Sequence, residues 1–384
     1  MTTPISIVNV NDYQSIPEAV KAAIKHIETK IPFVFKNSKS ILLKPNLLRA
    51  KKEACTQTGF IEGIIDYLKD IGVSMDNVSI GDSPGQIKKS ASDVAKEIGV
   101  WDICEKSGIK FIDFESEAPV KENIEEGYKL KELRVAKAVK DCDILINLPR
   151  LKTHAEATIT ASIKNYWGII PGGLKAKYHL LGKTAQQFGE VLADNFSWVV
   201  RNKSKRLTIL DLQEIMEGAM GPGSGKMARW DLILVGMDEV ALDLLALEIG
   251  KFKAKNVPHL KNAIVRNLGE GNLENIEILG MTLEEAKKQA PKFNVPGTKM
   301  TKFISYITGH LAYKFMKKVP ILNKKRCAQC GQCAEVCPAE AIDFETDSFP
   351  EFLRKKCISC LCCMELCPES AIKAKSRGIK GVFD

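Results

Sequence analysis

The sequence has no run of about 18 apolar residues, the length that a membrane-spanning helix needs. Residues 1–8 also lack the basic and apolar regions of a secretory signal peptide. Outside the C-terminal region the cysteines are only Cys55, Cys104 and Cys142, and their scattered positions do not form a disulfide framework. These absences predict a cytoplasmic protein with reduced cysteines and no transmembrane segment.

Two nucleotide-binding motifs are missing as well. No Gly-x-Gly-x-x-Gly follows the first apolar segment, so the dinucleotide fingerprint is absent. Residues 221–226 read Gly-Pro-Gly-Ser-Gly-Lys and look like a phosphate-binding loop. That loop needs glycine at position 220 and serine or threonine at position 227, where this chain has Met220 and Met227. The segment therefore does not predict nucleotide binding.

Eight cysteines form two copies of one pattern near the C-terminus. Each copy reads Cys-x2-Cys-x2-Cys-x3-Cys-Pro, and the copies end in Pro338 and Pro368. This spacing is typical of bacterial ferredoxins that hold two [4Fe-4S] clusters. A zinc site would need only four ligands. A zinc module or a disulfide knot is the alternative, and the matched repeat favours two clusters.

The order of the ligands follows from the same spacing. Three closely spaced cysteines hold one cluster, and the fourth cysteine of each copy reaches the other cluster. One predicted cluster is bound by Cys327, Cys330, Cys333 and Cys367, and the second by Cys357, Cys360, Cys363 and Cys337. Cys362 is left over beside a ligand, and we interpret it as a small buried side chain.

Acidic residues are absent from one long stretch of the chain. None lies between Glu285 and Glu335, where there are eleven lysines and arginines. The formal net charge is +9, but two oxidised clusters with their thiolates carry roughly −2 each and bring the total to about +5. This value gives no support to nucleic-acid binding. We interpret the basic stretch as offsetting the clusters; a docking surface for an acidic electron donor or for a membrane is the alternative.

The first 290 residues alternate apolar segments with helical patterns. The predicted strands are 5–10, 40–43, 78–82, 109–114, 143–149, 207–212, 232–235 and 276–279. The predicted helices are 15–30, 60–68, 91–98, one from about 158, and 184–200, 240–249, 259–268 and 283–289. Such alternation predicts an α/β fold with a mainly parallel sheet covered by helices, followed by a small α+β ferredoxin-like domain.

Three regions are expected along the chain. The α/β domain should cover 1–290, a linker with a basic amphipathic helix should cover 291–322, and the ferredoxin domain should cover 323–376. In the helix at 301–318, Phe303, Ile307, Leu311 and Phe315 share one face. We interpret this helix as packing the ferredoxin domain onto the α/β domain, and contact with a membrane surface is the alternative.

Ligands of open α/β sheets bind at the carboxyl ends of the strands. Lys44 and Asn46 follow the second predicted strand, where an ammonium and an amide can hold an anionic or carbonyl group. Asp82 ends the third predicted strand. We therefore expect Lys44 and Asn46 to bind a substrate and Asp82 to handle protons.

A second group of polar residues follows the most apolar predicted strand. Lys152 and His154 come after it, and a histidine there can move protons near neutral pH. In the helix predicted from about residue 158, Thr160 and Lys164 lie one turn apart, next to Asn165. Because these polar side chains interrupt an otherwise apolar segment, they predict a functional site.

Several short motifs together resemble those of a known family. They are Lys44-Pro-Asn46, Gly81-Asp-Ser-Pro-Gly85, Leu148-Pro-Arg-Leu-Lys-Thr-His154, Lys164-Asn165 and Val240-Ala-Leu-Asp243. With them, residues 1–290 resemble the DUF362 family, whose members often carry a C-terminal two-cluster ferredoxin module. Arg150 stands where the family usually has lysine. The resemblance implies a cytoplasmic iron–sulfur protein with a pocket that includes Asp243, and it names no substrate.

The sequence thus predicts a reductase-type oxidoreductase. Low-potential electrons from a protein donor would pass through the clusters to a substrate or cofactor in the α/β domain. The expected catalytic residues are Lys152, His154, Lys164 and Asp82, and the expected substrate-binding residues are Lys44, Asn46, Asn165 and Asp243. The alternative is an electron carrier, or an assembly or maturation factor, that acts on a protein partner.

Overall fold

The structure is a computed structural model. It describes residues 2–376 apart from 33–34, 36–37, 86–88, 183, 219–220, 224 and 296–317. The amphipathic helix predicted at 301–318 therefore lies outside the described residues, except for Lys318, which begins a strand. No helix among the described residues combines the length and the apolar character that crossing a bilayer requires.

Strands occur along most of the described chain. They are β1 (Thr3–Asn9), β2 (Ile41–Pro45), β3 (Val78–Asp82), β4 (Lys110–Asp113), β5 (Val120–Asn123), β6 (Glu132–Val135), β7 (Ile144–Leu148), β8 (Arg150–His154), β9 (Thr158–Thr160), β10 (Arg206–Glu217), β11 (Lys226–Gly236), β12 (Ile276–Gly280), β13 (Lys318–Leu322), β14 (Ile342–Asp343), β15 (Glu351–Phe352) and β16 (Ile372–Ser376).

Ten of these strands form the central sheet. Its main order is β12-β1-β11-β10-β7-β2-β3-β4, with β8 paired to β10 and β9 paired to β8. The pairs from β10 through β7, β2 and β3 to β4 are parallel, whereas β11 is antiparallel to both β1 and β10. The predicted α/β fold with a mainly parallel sheet is confirmed.

Helices cover both faces of the sheet. They are α1 (Ile16–Glu28), α2 (Thr58–Asp70), α3 (Ala91–Ile98), α4 (Val100–Ser107), α5 (Lys137–Asp141), α6 (Ser162–Asn165), α7 (Leu174–His179), α8 (Ala185–Asn202), α9 (Glu239–Ile249), α10 (Pro258–Val265), α11 (Leu283–Gln289), α12 (Gln332–Glu335) and α13 (Cys362–Glu365). Successive residues of one strand enter different cores, since Leu42 packs in one cluster and Ile41 and Leu43 pack in the other. A strand buried on both faces explains why β2 is continuously apolar up to Lys44.

The prediction of a helix from about residue 158 is wrong. The chain instead forms the β8–β9 hairpin, in which Lys152 pairs with Thr160 and His154 pairs with Thr158, and only then the short helix α6. The reason is tertiary: β10 runs on to Glu217, well beyond its predicted end, and its extension pairs with β8. The periodicity of apolar residues near position 158 could not reveal that the extension of β10 offers β8 an edge to pair with.

The C-terminal module is built from two similar halves. Strands β13 and β16 pair antiparallel, as do β14 and β15, and each half contributes a one-turn helix, α12 or α13. The short elements enclose a small core of their own that includes Val336, Met364 and Ile372. This arrangement confirms the expected α+β module.

Candidate functional site

Two small cavities of about 20 Å³ each lie within the C-terminal module, and four of the predicted ligands line each one. The first cavity is lined by Cys327, Cys330, Cys333 and Cys367, and the second by Cys337, Cys357, Cys360 and Cys363. The structure therefore places the cysteines in the two crossed sets expected from their spacing. Four thiols around a closed apolar space fit the ligand set of an iron–sulfur cubane.

Backbone amides point at the sulfur atoms in both halves of the module. The N–H of Ala341 donates to Sγ of Cys337 at 3.2 Å, and the N–H of Ala371 donates to Sγ of Cys367 at 3.3 Å. Both donors lie four residues after the last cysteine of their copy. Such bonds stabilise thiolate ligands and tune the potential of a bound cluster.

A single metal ion needs its ligands around one point. Within the described part of the chain, no group of three or more His, Cys, Asp or Glu side chains has that arrangement. In a cubane, by contrast, each cysteine binds a different iron atom, which keeps the sulfur atoms apart.

A larger cavity of about 150 Å³ lies at the carboxyl ends of β2 and β3. One wall is formed by the C-terminal module through Val336, Cys362, Glu365 and Leu366. Cys362 also lines the second cysteine cavity, and its side chain is buried as expected. The cavity therefore lies directly between the α/β domain and the helix that carries cysteines of the module.

Seven of the eight residues proposed for the α/β site line this cavity. They are Lys44, Asn46, Asp82, Lys152, His154, Lys164 and Asn165. Asp243 does not line it. Its buried carboxylate instead accepts the backbone N–H groups of Ser162 (2.7 Å) and Ile163 (3.1 Å), so it supports helix α6 from behind. Burial raises the pKa of Asp243 to about 7.

Lys44 and Asp82 form a buried ion pair at the floor of the cavity. Nζ of Lys44 lies 2.8 Å from Oδ1 of Asp82, while Oδ2 accepts the N–H of Leu47 at 2.7 Å. Burial lowers the pKa of Lys44, and the neighbouring carboxylate opposes that shift. Gly168 packs against the pair, because a Cβ there would lie 2.6 Å from Nζ of Lys44. Both charged groups thus have protein partners, which favours a structural role for the pair.

Lys152 lies at the start of a chain of side-chain amides. Its Nζ donates to Oδ1 of Asn46 and to the carbonyl oxygen of Ala54. Asn46 then donates to Asn165 at 2.8 Å, and Asn165 donates to Asn147 at 2.7 Å. Burial lowers the pKa of Lys152 to about 7. An amine with this pKa can both hold and release a proton near neutral pH.

Both ring nitrogens of His154 have polar neighbours. Nδ1 accepts the backbone N–H groups of Glu156 and Ala157, each at 3.1 Å. The proton of the neutral ring is therefore on Nε2, which lies 3.2 Å from Oε2 of Glu365. Burial lowers the pKa of His154 well below its usual value. Nε2 of His154 therefore lies beside the carboxylate of Glu365, and the role in proton transfer expected from the sequence stays a prediction.

Some lining residues were not found from the sequence. Lys175 donates to the carbonyl oxygens of Ser83 (2.6 Å) and Pro84 (3.0 Å) and to Oγ of Ser83 (2.6 Å). Burial lowers its pKa to about 8. Glu365 was missed too, and burial raises its pKa to about 7. Neither follows a strand, so the strand-end criterion could not find them; the glycine pair before Lys175 was the one local signal.

Direct contacts hold the C-terminal module against the α/β domain. Nη1 of Arg49 donates to the carbonyl oxygen of Cys367 at 2.8 Å, and Nη2 donates to that of Gly223. Gly223 itself packs on the module, since a Cβ there would lie 2.7 Å from the carbonyl oxygen of Glu365. These contacts set the wall of the cavity that the module supplies.

Comparison with known proteins identifies two regions of the chain. The model of the family described as "Domain of unknown function (DUF362)" matches residues 41–248, and that of a 4Fe-4S dicluster domain matches residues 319–368. The Thylakoid-associated protein sll1697 of Synechocystis sp. is 31% identical over 222 residues. The match covers 57% of this chain and 65% of that relative.

Solved structures give weaker similarities. The lactate racemase apoprotein of Thermoanaerobacterium thermosaccharolyticum matches with a TM-score of 0.40 and 14% identity over 63% of this chain and 55% of that one. A crystal structure of a protein from Thermotoga maritima matches with a TM-score of 0.36 and 11% identity, covering 52% of this chain and 51% of that one. Neither score is high enough to support an argument about function.

Proposed function

Because the chain belongs to the DUF362 family and carries an iron–sulfur module, we propose that it is a reductase for a small molecule bound in the 150 Å³ cavity. Two [4Fe-4S] clusters, held by the crossed sets of cysteines, would supply one-electron transfer at low potential when bound. The alternative is an electron carrier or maturation factor in which the α/β domain recognises a protein partner.

One observation carries the proposal. Cys362 and Glu365 of the module line the same cavity as Lys152 and Lys164 of the α/β domain, and Cys362 also lines the second cysteine cavity. An acceptor in the larger cavity would therefore be one side chain away from the ligand set of a cluster. A carrier that acts only on other proteins has no need for a cavity lined by four lysines at this position.

Each of the main lining residues has a separate role in this proposal. Lys152 is suited to transfer a proton at Nζ, since its pKa is about 7 and the amide of Asn46 fixes its direction. Nε2 of His154 lies beside the carboxylate of Glu365. The Lys44–Asp82 pair keeps β2 and β3 in register at the floor of the cavity and leaves its charges paired.

The overall reaction needs an external electron source. Reduction of one double bond in the acceptor consumes two electrons and two protons. We propose that a low-potential electron-carrier protein supplies the electrons singly, and that water replaces the protons through Lys152. The three scattered cysteines, Cys55, Cys104 and Cys142, are free and buried, and on this basis we propose a reducing, cytoplasmic location.

The test begins with protein purified without oxygen and examined by mass spectrometry for a bound small molecule. That molecule is then offered to the reduced protein, and product is measured. Lys152→Met should abolish turnover and leave the iron content and the redox titration unchanged, while Lys177→Met, in an exposed part of α7, serves as the control. If the Lys152 variant still forms product at the rate of the unaltered protein, Lys152 is not the proton donor. If the unaltered protein forms no product from the bound molecule, the reductase proposal fails. Equal reoxidation of both variants by a partner protein, without any small-molecule product, would support the carrier instead.

A further inference from the structure

Four lysines line the large cavity, and three of them are already held by acceptors of the protein. Lys44 bonds to Asp82, Lys152 to Asn46 and the carbonyl of Ala54, and Lys175 to Ser83 and Pro84. Lys164 differs. Within the described part of the chain its ammonium group has no hydrogen bond or ion pair, although Glu365 and Glu156 lie near enough to act on its charge.

The two carboxylates near Lys164 have partners of their own. Glu365 lies 3.2 Å from Nε2 of His154, and Glu156 lies 3.1 Å from Nδ1 of His179. Among the described residues, neither carboxylate forms an ion pair with Lys164 within 4.0 Å. The donors of Lys164 stay available to whatever enters the cavity.

A second lining residue has an unused polar group. Thr160 is 4% exposed, and its Oγ1 has no hydrogen-bond partner among the described residues. It lies at the end of β9, just before the short helix that carries Lys164. A buried hydroxyl without a partner is unfavourable, and an acceptor from a ligand would remove that penalty.

The net charge of the side chains that line the cavity indicates which charge a ligand should carry. Four lysines face three lining carboxylates, those of Asp82, Glu115 and Glu365, and His179 is matched by Glu156. The formal surplus of the lining side chains is one positive charge, and a cluster in the second cysteine cavity would add negative charge nearby. A singly charged carboxylate therefore suits the cavity better than a phosphate monoester, which carries roughly −2. The remaining lining includes the apolar side chains of Leu48, Trp167 and Leu366.

We infer that Thr160 and Lys164 form the binding site for the carboxylate of a small organic acid whose apolar body fills the rest of the cavity. A cavity of about 150 Å³ is of the size that accommodates a benzene ring in an engineered protein core. A charged hydrogen bond from Lys164 and a neutral one from Thr160 would fix the acid group, and this would set the orientation of the body beside Cys362 and Glu365. The inference rests on the proposed function and specifies its substrate class.

Binding is measured on the oxidised holoprotein without an electron donor. Acetate, butyrate, benzoate, the neutral isostere benzamide and inorganic phosphate are titrated calorimetrically. We expect at least one carboxylate to bind, benzoate to bind at least tenfold tighter than benzamide, and phosphate to bind more weakly than the best carboxylate. Lys164→Met should weaken carboxylate binding by about tenfold or more, and the near-isosteric Thr160→Val should weaken it by about fivefold. Lys177→Met should change nothing.

The inference is overturned if none of the three carboxylates binds, if phosphate binds more tightly than all of them, or if both variants bind as the unaltered protein does. Iron content and thermal midpoint confirm that each variant is folded, and Thr160→Val removes only one hydroxyl should Lys164→Met fail to fold. Because no electrons flow in this experiment, it tests only the carboxylate site. Failure of the reductase proposal would instead appear as no product from the molecule that co-purifies with the protein, and would leave the binding site intact.

Discussion

Nε2 of His154, at the end of β8, lies 3.2 Å from Oε2 of Glu365, in the one-turn helix that carries Cys363. Both side chains are buried, and the backbone N–H groups of Glu156 and Ala157 fix the ring through Nδ1. The contact therefore joins the α/β domain to the C-terminal module at the wall of the shared cavity. It couples the position of the cysteine-bearing helix to the strand that carries Lys152.

His154→Ala should destabilise the protein by about 1–3 kcal/mol, because the buried carboxylate of Glu365 loses the neutral polar group beside it. The thermal midpoint should fall by several degrees. A double-mutant cycle with Glu365→Ala checks the cause: the second substitution should cost much less once His154 is gone. Additive losses would contradict the coupling.

Gly223→Ala should also weaken the contact between the α/β domain and the C-terminal module, in this case by steric overlap. Its Cβ would lie 2.7 Å from the carbonyl oxygen of Glu365, and such overpacking typically costs 1–3 kcal/mol. Limited proteolysis should then cut the chain between the two regions faster. Gly173→Ala is the matched control, since a Cβ there meets nothing within 4 Å. Equal protection of both variants would mean that the contact at Gly223 does not hold the module.

Paired cysteine substitutions test the crossed ligation. Cys337→Ser with Cys357→Ser removes two ligands from one predicted cluster, so iron should fall from about eight to about four atoms per chain. Cys337→Ser with Cys327→Ser removes one ligand from each predicted cluster and should leave less iron than the first pair. The reverse order of iron contents would show that each copy of the motif holds its own cluster.

His259 should make stability depend on pH. It is fully buried with no partner for either ring nitrogen among the described residues, and burial lowers its pKa to about 3 from an ordinary value of 6.5. Below pH 6.5 the unfolded chain binds a proton at this residue and the folded chain does not. Stability should therefore fall with decreasing pH between 6.5 and about 3, with a slope near 1.4 kcal/mol per pH unit from this residue alone.

His259→Leu removes this pH-dependent contribution to the free energy of unfolding. The variant should match or exceed the stability of the unaltered protein at pH 7, because two unsatisfied nitrogens are lost, and its advantage should grow toward pH 5. Denaturation at pH 7, 6 and 5 measures this trend. A constant difference across the three values would show that His259 takes up its proton in the folded state as well.

Asp243→Ala should reduce stability without removing the ligand site itself. The carboxylate holds the N–H groups of Ser162 and Ile163, and leaving two buried donors without an acceptor costs about 1–3 kcal/mol each. The thermal midpoint should drop, and benzoate affinity should change less than in Lys164→Met. Loss of binding at unchanged stability would place Asp243 in contact with the ligand after all.

Sequence alone determined the module with two cysteine patterns, the α/β class and seven of the polar residues that line the cavity. Those properties depend on local spacing: the ligand intervals repeat, and polar residues such as Lys44 and Asp82 follow apolar strands directly. Tertiary structure decided the rest. The β8–β9 hairpin exists because the extension of β10 offers an edge, and Glu365 reaches His154 only after the module docks. Contacts between residues 211 positions apart depend on how two domains pack, and no local pattern encodes that distance.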